Sequence, residues 1–532
     1  MSVDTCNTTE DRKTLPLNSS SYARAVKENQ YIVDKTLLIK TVIDMKPLVT
    51  VFTRPRRFGK SFNLSMLRAF FEKTEEDTSV CFTDKKIWQC GEEYRSEQGK
   101  YPVIYLDFKD IIDDNWDEAF ESLKDCISGA YSSHKELLAS SRVDKMLDLP
   151  CCKNILYDTA DPDDYEDALC TLSRMLTDHY GVPPVIFIDE FDTPVQAAYE
   201  NGYYDDFMDF MGPFLSAALK GNDENVQHAF LCGVLPVSFA AENSGLNSVF
   251  PDTVLNGHDY SEYFGFTADE TQAMLDYYGL SDKYPEVCEQ YEGYRAGGAV
   301  LFNPLDILMY IDSKGDADDY WVSTSSNQYV SDYIRSTMKD AASYYASELM
   351  DLLEGKPITE PVDISIFYDD RNTKALDLAI LVHSGYLAPA DRDGYCRKLF
   401  IPNKEVFRLF SHEFLQAANV PAELSYKMKN AVESGDALQL RNAVQCITER
   451  VRAIVPVTSF QQVVTASVAA ALGGSCRLQQ DTETDSGRLL LLEPGNTPGL
   501  PVISLKFSRN AGSGTCRADV ALNSNGIEIA IE

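Results

Sequence analysis

Short runs of apolar and β-branched residues recur along this chain, and a stretch with helical spacing follows the first of them. The runs that predict buried strands are residues 47–53 (PLVTVFT), 101–108 (YPVIYLDF), 185–188 (VIFI) and 228–240 (HAFLCGVLPVSFA). Residues 63–74 (NLSMLRAFFEKT) have the apolar spacing of an amphipathic helix. This order of elements predicts an α/β protein built on an open sheet.

The segment between the first strand and this helix is TRPRRFGKS, residues 53–61. In the usual phosphate loop, G-x-x-x-x-G-K-[ST], backbone N–H groups surround the phosphates, the lysine reaches the outer ones and the hydroxyl binds Mg²⁺. Gly59, Lys60 and Ser61 match this pattern, whereas Arg54 occupies the position of the first glycine. Taken alone, these residues fit an ordinary surface loop equally well.

A second motif, VIFIDEFDTP at residues 185–194, has an apolar run that leads into adjacent carboxylates. Asp189 would lie at the carboxyl end of a strand, which is the edge where open α/β sheets bind ligands, and would hold Mg²⁺ through water. Glu190 would polarise the attacking water. The alternative is a buried strand followed by a solvated acidic turn. The two motifs together predict a P-loop NTPase.

Length and charge narrow the function classes. The chain has 532 residues, 44% of them apolar, and a formal net charge of −34. This net negative charge repels the phosphates of nucleic acid, so it argues against a protein that coats nucleic acid. A local basic cluster that suits a triphosphate is formed by Arg54, Arg56, Arg57 and Lys60. No apolar stretch reaches the roughly 20 residues of a membrane span, and the N-terminus lacks signal-peptide character. The predicted location is the cytoplasm, with no membrane partner.

Further segments resemble, in their order, the AAA-ATPase-like family, a divergent group of P-loop proteins. They are QYIVDKTLLIK (30–40), VFTRPRRFGKSFNLSMLRAFF (51–71), VIFIDEFDTPV (185–195), GVLPVSFAAENSGLNSV (233–249), EYFGFTADE (262–270), YEGYRAGG (291–298), LFNPLDILMYI (301–311), YWVSTSSN (320–327), SGYLAPA (384–390) and IPNKEV (401–406). The resemblance covers roughly residues 15–415. TRPRRFGK[ST] is the usual phosphate loop of that family, so Arg54 is expected there.

This resemblance implies a P-loop NTPase parallel sheet flanked by helices, followed by a helical lid and middle region. It implies ATP and Mg²⁺ as cofactors, Ser61 and Asp189 as metal ligands, and Asp189 and Glu190 as catalytic residues. ATP is favoured over GTP by the resemblance alone. The predicted nucleotide-binding residues are Arg54, Pro55, Arg56, Arg57, Phe58, Gly59, Lys60 and Ser61.

Candidate residues also lie in segments outside the two motifs. The family usually has an arginine where this chain has Pro236, and the loss of a cation there predicts slow hydrolysis. Asn247 is a candidate nucleotide sensor, and Arg295 is a candidate lid residue. Residues 34–36 (DKT) form either a wall for adenine or ribose, or an N-cap with a charged surface pair.

The final segment, residues 459–532, predicts a separate module that begins with a helix at 459–474 and continues with β-rich runs. In the AAA-ATPase-like family this place is commonly taken by a PD-(D/E)xK nuclease domain. Asp519 and Glu532 would be its carboxylates and Arg517 the accompanying cation.

This nuclease chemistry is incomplete in the sequence, because the lysine that should follow Glu532 is absent. A competing register uses Lys506 as the lysine, and it puts Leu490 and Ser504 at the carboxylate positions. That arrangement would abolish the metal site. The module is therefore expected to be a partial α+β nuclease-like one.

The predicted organisation and function follow from these interpretations. The predicted domains are a polar tail (1–14), an AAA-ATPase-like P-loop domain (15–260), a helical lid and middle domain (261–415), a helical connector (416–458) and the partial nuclease-like module (459–532). We expect an Mg²⁺-dependent ATP-binding protein that hydrolyses ATP slowly and couples nucleotide state to the C-terminal module. The alternatives are an ATP-regulated DNA or RNA nuclease and a non-hydrolysing interaction scaffold. Expected partners are the nucleotide, nucleic acid through the C-terminal module only, and further copies of the chain in a homo-oligomer.

Overall fold

The structure is a computed structural model. It describes residues 12–17, 19–237, 249–256, 259–324, 327–338, 344–366, 368, 373–393, 395–434, 436–454, 467–468 and 470–471, and the backbone of 476–484, 487–494, 502–509, 516–523 and 527–529.

Helices make up most of the described chain. In order they are α1 Tyr22–Lys27, α2 Leu37–Met45, α3 Lys60–Phe71, α4 Glu92–Arg95, α5 Trp116–Ser132, α6 Asp148–Leu156, α7 Pro162–Glu166, α8 Ala168–Tyr180, α9 Thr193–Asn201, α10 Tyr204–Leu219, α11 Ala268–Tyr278, α12 Tyr284–Tyr291, α13 Pro304–Asp312, α14 Tyr320–Thr324, α15 Gln328–Met338, α16 Tyr344–Leu353, α17 Thr373–His383, α18 Lys404–Ala417, α19 Ala422–Ser434 and α20 Ala437–Ile454. Short 3₁₀ helices span Thr78–Cys81, Lys86–Gln89, Lys135–Ala139, Asp223–Asn225, Ser261–Tyr263 and Ser281–Lys283. Within the described residues, none of the helices combines the length and the apolar character that crossing a membrane requires.

The strands divide into a parallel group and several antiparallel ones. In chain order they are β1 Val49–Thr53, β2 Val103–Asp107, β3 Val185–Asp189, β4 His228–Gly233, β5 Val249–Asp252, β6 Glu292–Ala296, β7 Ala299–Phe302, β8 Ile358–Pro361, β9 Ala388–Asp393, β10 Cys396–Phe400, β11 Cys476–Thr484, β12 Gly487–Pro494, β13 Val502–Arg509, β14 Cys516–Asn523 and β15 Ile527–Ile529. The four sequence runs that predicted buried strands coincide with β1 to β4, and β3 extends one residue beyond its run, to Asp189.

A five-stranded sheet lies at the centre of the N-terminal part, in the order β2-β3-β4-β1-β5. Every pair of neighbours in it is parallel. Parallel strands need crossover connections, which helices supply between β1 and β2, between β2 and β3 and between β3 and β4. All residues of β1, β3 and β4 are buried, as expected for strands with helices on both faces. The predicted α/β class, with a parallel sheet flanked by helices, is confirmed.

Aromatic side chains from neighbouring strands form the core on one face of this sheet. The ring of Phe230 on β4 stacks against Phe52 of β1 at 6.1 Å and against Phe187 of β3 at 5.5 Å. The same buried cluster includes Leu38 of α2 and Phe70 of α3. These two helices therefore cover the face on which the three rings lie.

The chain divides into two compact units. The first comprises residues 1–284, 295–316 and 363–384, and the second comprises 285–294, 317–362 and 385–532. The first unit contains the parallel sheet. The second contains a three-stranded antiparallel sheet in the order β8-β10-β9 and a five-stranded antiparallel sheet in the order β11 to β15. The domain boundaries that the sequence indicates stay predictions.

The C-terminal sheet places the residues of the two nuclease registers opposite each other along the backbone. Lys506 on β13 pairs in register with Asp519 on β14. The side chains of Arg517 and Asp519, and the whole of Glu532, lie outside the described residues, as does most of the predicted helix at 459–474. The nuclease-like interpretation of this module is not confirmed.

Candidate functional site

The loop between β1 and α3 has the backbone turns that the sequence motif requires. Gly59 has a φ of 80° and directly precedes Lys60, the first residue of α3, and its carbonyl accepts the helical hydrogen bond from Asn63 at 2.9 Å. Arg57 also has a positive φ, of 67°. The backbone N–H groups of the first helical turn have no partner inside the helix, and this end of a helix favours negative charge. The loop and helix start are therefore suited to an anion.

Lys60 is held across the inside of this loop. Its side chain is buried, and its Nζ donates hydrogen bonds of 3.2 Å to the backbone carbonyls of Arg54 and Pro55. A lysine ammonium has three donors, so one remains for an incoming group. The loop carbonyls thus hold the ammonium of Lys60 in place in the absence of a ligand.

The acidic pair lies at the same edge of the sheet. Asp189 is the last residue of β3 and pairs in register with Cys232 of β4, while Gly233 of β4 pairs with Thr53 of β1. One strand therefore separates β3 from β1, a distance of about 10 Å at roughly 4.8 Å per step. The side chain of Ser61 lies close enough to the Asp189 carboxylate to lower the pKa of that group.

The environment of Asp189 alters its acidity. Burial raises its pKa from 3.8 to about 6, and the nearby Ser61 side chain opposes that rise. The negative charges of Glu190 and Asp107 also raise this pKa, and the positive charge of Lys60 lowers it. Lys60, Ser61 and Asp189, which belong to distant parts of the sequence, therefore act on one another in the folded chain.

Glu190 follows in a strained backbone position. Its φ is 53°, in the left-handed region that non-glycine residues seldom adopt, and its N–H donates to Oδ1 of Asp189 at 3.1 Å. The next residue, Phe191, donates its N–H to the carbonyl of Cys232 at 3.0 Å. Backbone strain of this kind persists where surrounding contacts enforce it, and it is common at functional sites.

Comparison with known proteins agrees with this arrangement of loop and acidic pair. Residues 16–241 match the family model described as predicted AAA-ATPase. The matched segment contains both the loop and the acidic pair, so the resemblance based on the sequence motifs is confirmed there. This segment is therefore similar to the family described as predicted AAA-ATPase.

One curated protein also resembles a large part of the chain. It is an uncharacterized protein in the vnfD 5′ region of Azotobacter chroococcum mcd 1, and it is 24% identical over 333 residues. The alignment covers 61% of this chain and 56% of that protein. The chain therefore spans little more than half the length of this relative.

Arg54, at the first position of the AAA-ATPase-like loop, has a fully buried side chain. Its Nη2 lies 2.7 Å from Oδ2 of Asp252 at the end of β5, and its Nη1 donates to the backbone carbonyls of Asp252 and Thr53, each at 2.9 Å. Because β5 and β3 lie on opposite sides of β1, the guanidinium points away from the acidic pair. What Arg54 presents to Lys60 is its carbonyl. The sequence reasoning missed Asp252, since no local signal links residues so far apart.

The outer side of the loop is held by residues beyond the matched segment. The carbonyl of Phe58 accepts a 3.1 Å hydrogen bond from the N–H of Gly265, and the carbonyl of Arg56 accepts one of 3.3 Å from Nδ2 of Asn303. Phe58 is buried, whereas the side chains of Arg56 and Arg57 are exposed. The two arginines therefore lie at the solvent side of the loop.

Residues 34–36 make structural contacts. Oδ1 of Asp34 accepts hydrogen bonds from the N–H and the hydroxyl of Thr36, at 3.0 and 2.6 Å. The buried ammonium of Lys35 lies 2.6 Å from Oε2 of Glu270. These contacts favour the structural interpretation of this segment over a wall for adenine or ribose, although the ion pair is a buried one with Glu270 and not a surface pair.

The sensor and lid candidates remain predictions. Asn247 lies outside the described residues. Arg295 is on β6 and partly buried. Pro236 is buried, and its carbonyl accepts a hydrogen bond of 2.9 Å from the N–H of Ile366. The segment that follows β4 is thus tied by its backbone to a distant part of the first unit.

A third carboxylate, Asp192, was missed by the sequence reasoning. It is 1% exposed and accepts hydrogen bonds from the backbone of Val234 and Leu235, just after β4. The available signal was its position in DEFD, as a third carboxylate directly before α9 and next to Phe191. Such a residue is rarely buried unless its charge has partners.

Proposed function

We propose that this chain binds ATP together with Mg²⁺ in the loop formed by residues 54–61 and hydrolyses it slowly. The observation that supports this most directly is the closeness of Ser61 to Asp189, because it brings the loop hydroxyl beside the carboxylate of the second motif. The charge of Lys60 acts on the same carboxylate. A metal–nucleotide complex requires a loop that binds phosphate and, next to it, oxygen ligands for Mg²⁺. The hydroxyl of Ser61 and the carboxylate of Asp189 are such ligands.

The donor set suits Mg²⁺ delivered with a nucleotide. Among the described residues, no group of three or more His, Cys, Asp or Glu side chains is arranged to hold a metal. Mg²⁺ commonly uses one or two protein oxygens together with substrate phosphates and water, so Ser61 and Asp189 suffice on the protein side. When bound, the ion neutralises the negative charge on the phosphate oxygens.

The protein side chains have separate roles in this proposal. Lys60 exchanges its bonds to loop carbonyls for bonds to the outer phosphates, and the first-turn amides of α3 bind phosphate oxygens. Glu190 orients the attacking water and accepts its proton. Asp189, with a pKa of about 6, is mainly ionised at neutral pH, as a metal-binding carboxylate must be.

The proposal is tested by titrating ATP and GTP into the full chain with and without Mg²⁺, with a phosphate-release assay alongside. Replacing Lys60 by Ala should weaken ATP binding by at least about 100-fold, since two or more charge-assisted bonds, each of about 1.5 to 3 kcal/mol, are lost. Lys40→Ala is the matched control, because Lys40 pairs with Asp44 on the exposed side of α2. Equal affinities in the wild type and Lys60→Ala would contradict the proposed site.

Hydrolysis is tested separately with Glu190→Gln, which keeps the side-chain size and removes the base. We expect phosphate release to fall by about 100- to 10,000-fold while ATP binding persists. The control is Glu200→Gln, an exposed residue at the end of α9. ATP binding without phosphate release in either protein would favour the non-hydrolysing scaffold.

The coupling to the C-terminal module belongs to the same proposal. The coupling is drawn from the family resemblance, and nucleic acid is the partner class that a nuclease-like module would contact. Metal-dependent cutting of plasmid by the full chain, lost in Asp519→Ala, would favour the ATP-regulated nuclease instead. A homo-oligomer is also part of the proposal.

A further inference from the structure

Asp192 has contacts that differ from those of the other carboxylates at this edge of the sheet. Its Oδ2 accepts hydrogen bonds from the N–H of Val234 at 3.0 Å, from the N–H of Leu235 at 2.7 Å and from Nε2 of Gln196 at 2.8 Å. Two of these donors are the backbone N–H groups of consecutive residues that directly follow β4. A buried carboxylate used in this way fixes the position of the backbone that donates to it.

The approach of Asp192 to β4 depends on a glycine. A Cβ on Gly233 would collide with the Asp192 carboxylate and with the ring of Phe191. The φ of Gly233 is not positive, so the requirement comes from the close approach and not from backbone conformation. Asp192 and Gly233 are therefore two sides of a single close contact.

This contact joins two segments of the nucleotide edge. We call residues 189–192 the acidic turn and residues 234–237 the post-β4 segment. The acidic turn is attached to β4 by the bond from the Phe191 N–H to the Cys232 carbonyl, and to the post-β4 segment by Asp192. The post-β4 segment is held in turn by the bond from the Ile366 N–H to the Pro236 carbonyl. Asp192 is thus bonded to a segment that has a fixed position of its own.

The acidic turn is also where Glu190 has its left-handed φ of 53°. That conformation is unfavourable for a residue with a Cβ and persists only if surrounding contacts impose it. On one side of Glu190 is the bond from its N–H to Asp189. On the other side are the bonds that attach Phe191 to β4 and Asp192 to the post-β4 segment, and we call the bonds of Asp192 the Asp192 joint. Loss of the Asp192 joint would release the turn on one side.

We propose that Asp192 is a positioning residue that locks the acidic turn to the post-β4 segment and thereby holds Glu190 in place for hydrolysis. This inference rests on the proposed function, because it concerns the step in which Glu190 acts. Asp192 itself touches neither nucleotide nor water in this role. Burial and the charge of Glu190 raise the pKa of Asp192, and the hydrogen bond from the backbone of Leu235 opposes that rise.

Two variants break the joint from opposite sides. Asp192→Ala removes the acceptor, and Gly233→Ala introduces a methyl group where the carboxylate lies. We expect both to lower kcat by about 10- to 100-fold while the Kd for ATP changes by less than about 3-fold, since a misplaced catalytic group affects the chemical step and not the phosphate loop. Gly129→Ala in α5 is the matched control, because no atom lies within 4 Å of its added Cβ.

A conservative variant separates positioning from simple loss of stability. Asn at position 192 keeps one oxygen that accepts from Val234 and Leu235, so Asp192→Asn should retain kcat within about 5-fold of the wild type. Unfolding temperatures are measured for every variant. Should Asp192→Ala fail to fold, Gly233→Ala and Asp192→Asn make the same comparison. A kcat loss that is matched by an equal loss of ATP affinity would overturn the inference, as would unchanged kcat in both joint-breaking variants.

Amide hydrogen exchange gives a readout that does not need hydrolysis. In Asp192→Ala and Gly233→Ala, peptides covering the acidic turn and the post-β4 segment should exchange faster together, whereas Gly129→Ala leaves both unchanged. If the wild type binds ATP but releases no phosphate, hydrolysis drops out of the proposed function. Faster exchange in both peptides would then still support the joint, and unchanged exchange would overturn it.

Discussion

At the scale of single residues, Arg54 shows how one position can differ from its expected role in a motif. It occupies the place of the first glycine in a phosphate loop, and the prediction that it binds nucleotide is still open. Its guanidinium is fully buried and paired with Asp252 through charge and backbone contacts. The side chain therefore links β1 to β5, and the part of Arg54 that faces the loop interior is its carbonyl, the acceptor for Lys60.

Removing this buried pair should cost stability. Arg54→Ala leaves the Asp252 carboxylate buried without its cation, so we expect the free energy of unfolding, measured by urea titration, to fall by about 3 to 5 kcal/mol. Arg24→Ala is the control, because Arg24 pairs with Glu28 on the exposed surface of α1 and should leave stability unchanged. A loss below about 1 kcal/mol in Arg54→Ala would contradict the structural role assigned to the pair.

At the scale of elements, β4 organises the site. It lies between β1 and β3, so it separates the strand that leads into the loop from the strand that ends in the acidic pair. Its last residue, Gly233, admits the Asp192 carboxylate, and its first residue, His228, is buried against Phe71 and Phe230. Nδ1 of His228 donates a 2.8 Å hydrogen bond to the carbonyl of Pro47, just before β1. A substitution at His228 or Gly233 is therefore expected to disturb the contacts of β4 with the segments next to it.

His228 makes β4 sensitive to acid. Burial lowers the pKa of His228 below 6.5, and the bond to Pro47 only partly opposes this. Below pH 6.5 this histidine binds a proton in the unfolded chain but stays neutral in the folded chain. The free energy of unfolding should therefore fall with decreasing pH, by up to about 1.4 kcal/mol per pH unit, until the folded-state pKa is reached. Unfolding temperatures between pH 5 and 7.5 measure this slope.

The comparison for this prediction is His228→Phe, which cannot titrate and keeps a ring among Phe71 and Phe230. Its unfolding temperature should depend less on pH in the acid range, whatever its absolute stability. His412→Gln, at an exposed position on α18, should keep the wild-type slope. Identical slopes in the wild type and His228→Phe would mean that other groups cause the acid sensitivity.

At the scale of the whole molecule, the unit that contains the parallel sheet is not continuous in sequence. It includes residues 295–316 and 363–384 in addition to 1–284. The ring of Phe264 packs 5.0 Å from Phe52 in its core, and Gly265 and Asn303 hold the outside of the phosphate loop. The proposed nucleotide site therefore depends on residues that follow the segment matched by the family model.

A truncated chain tests this dependence. A fragment that ends at residue 260, the predicted end of the P-loop domain, lacks Phe264, Gly265 and Asn303. We expect it to lose cooperative thermal unfolding and ATP binding, since an aromatic core residue alone contributes about 3 to 5 kcal/mol. A fragment that ends at residue 420 contains the whole first unit and should retain both. Cooperative unfolding of the shorter fragment at the temperature of the full chain would contradict this expectation.

Much of the fold and part of the site could be predicted from the sequence. The strands β1 to β4 and the helix α3 have local signals, because burial on both faces needs continuous apolar runs and a helix needs apolar residues at its own period. The meeting of Lys60, Ser61 and Asp189 followed from the general rule that carboxyl ends of parallel strands share one edge. For residues 34–36 the sequence left two interpretations open, because an N-cap and a ligand wall use the same polar residue types.

The sequence by itself determined the α/β class, the loop with its lysine and hydroxyl, and the acidic pair, since each depends on neighbours along the chain. Only the tertiary structure decided that Arg54 pairs with Asp252, that Asp192 bonds to the segment after β4 beside Gly233, and that Gly265 and Asn303 support the loop. These contacts depend on strand order and on which residues a register brings level. Hydrophobic periodicity specifies which face of an element is buried, but it contains no information about which distant element will lie against it.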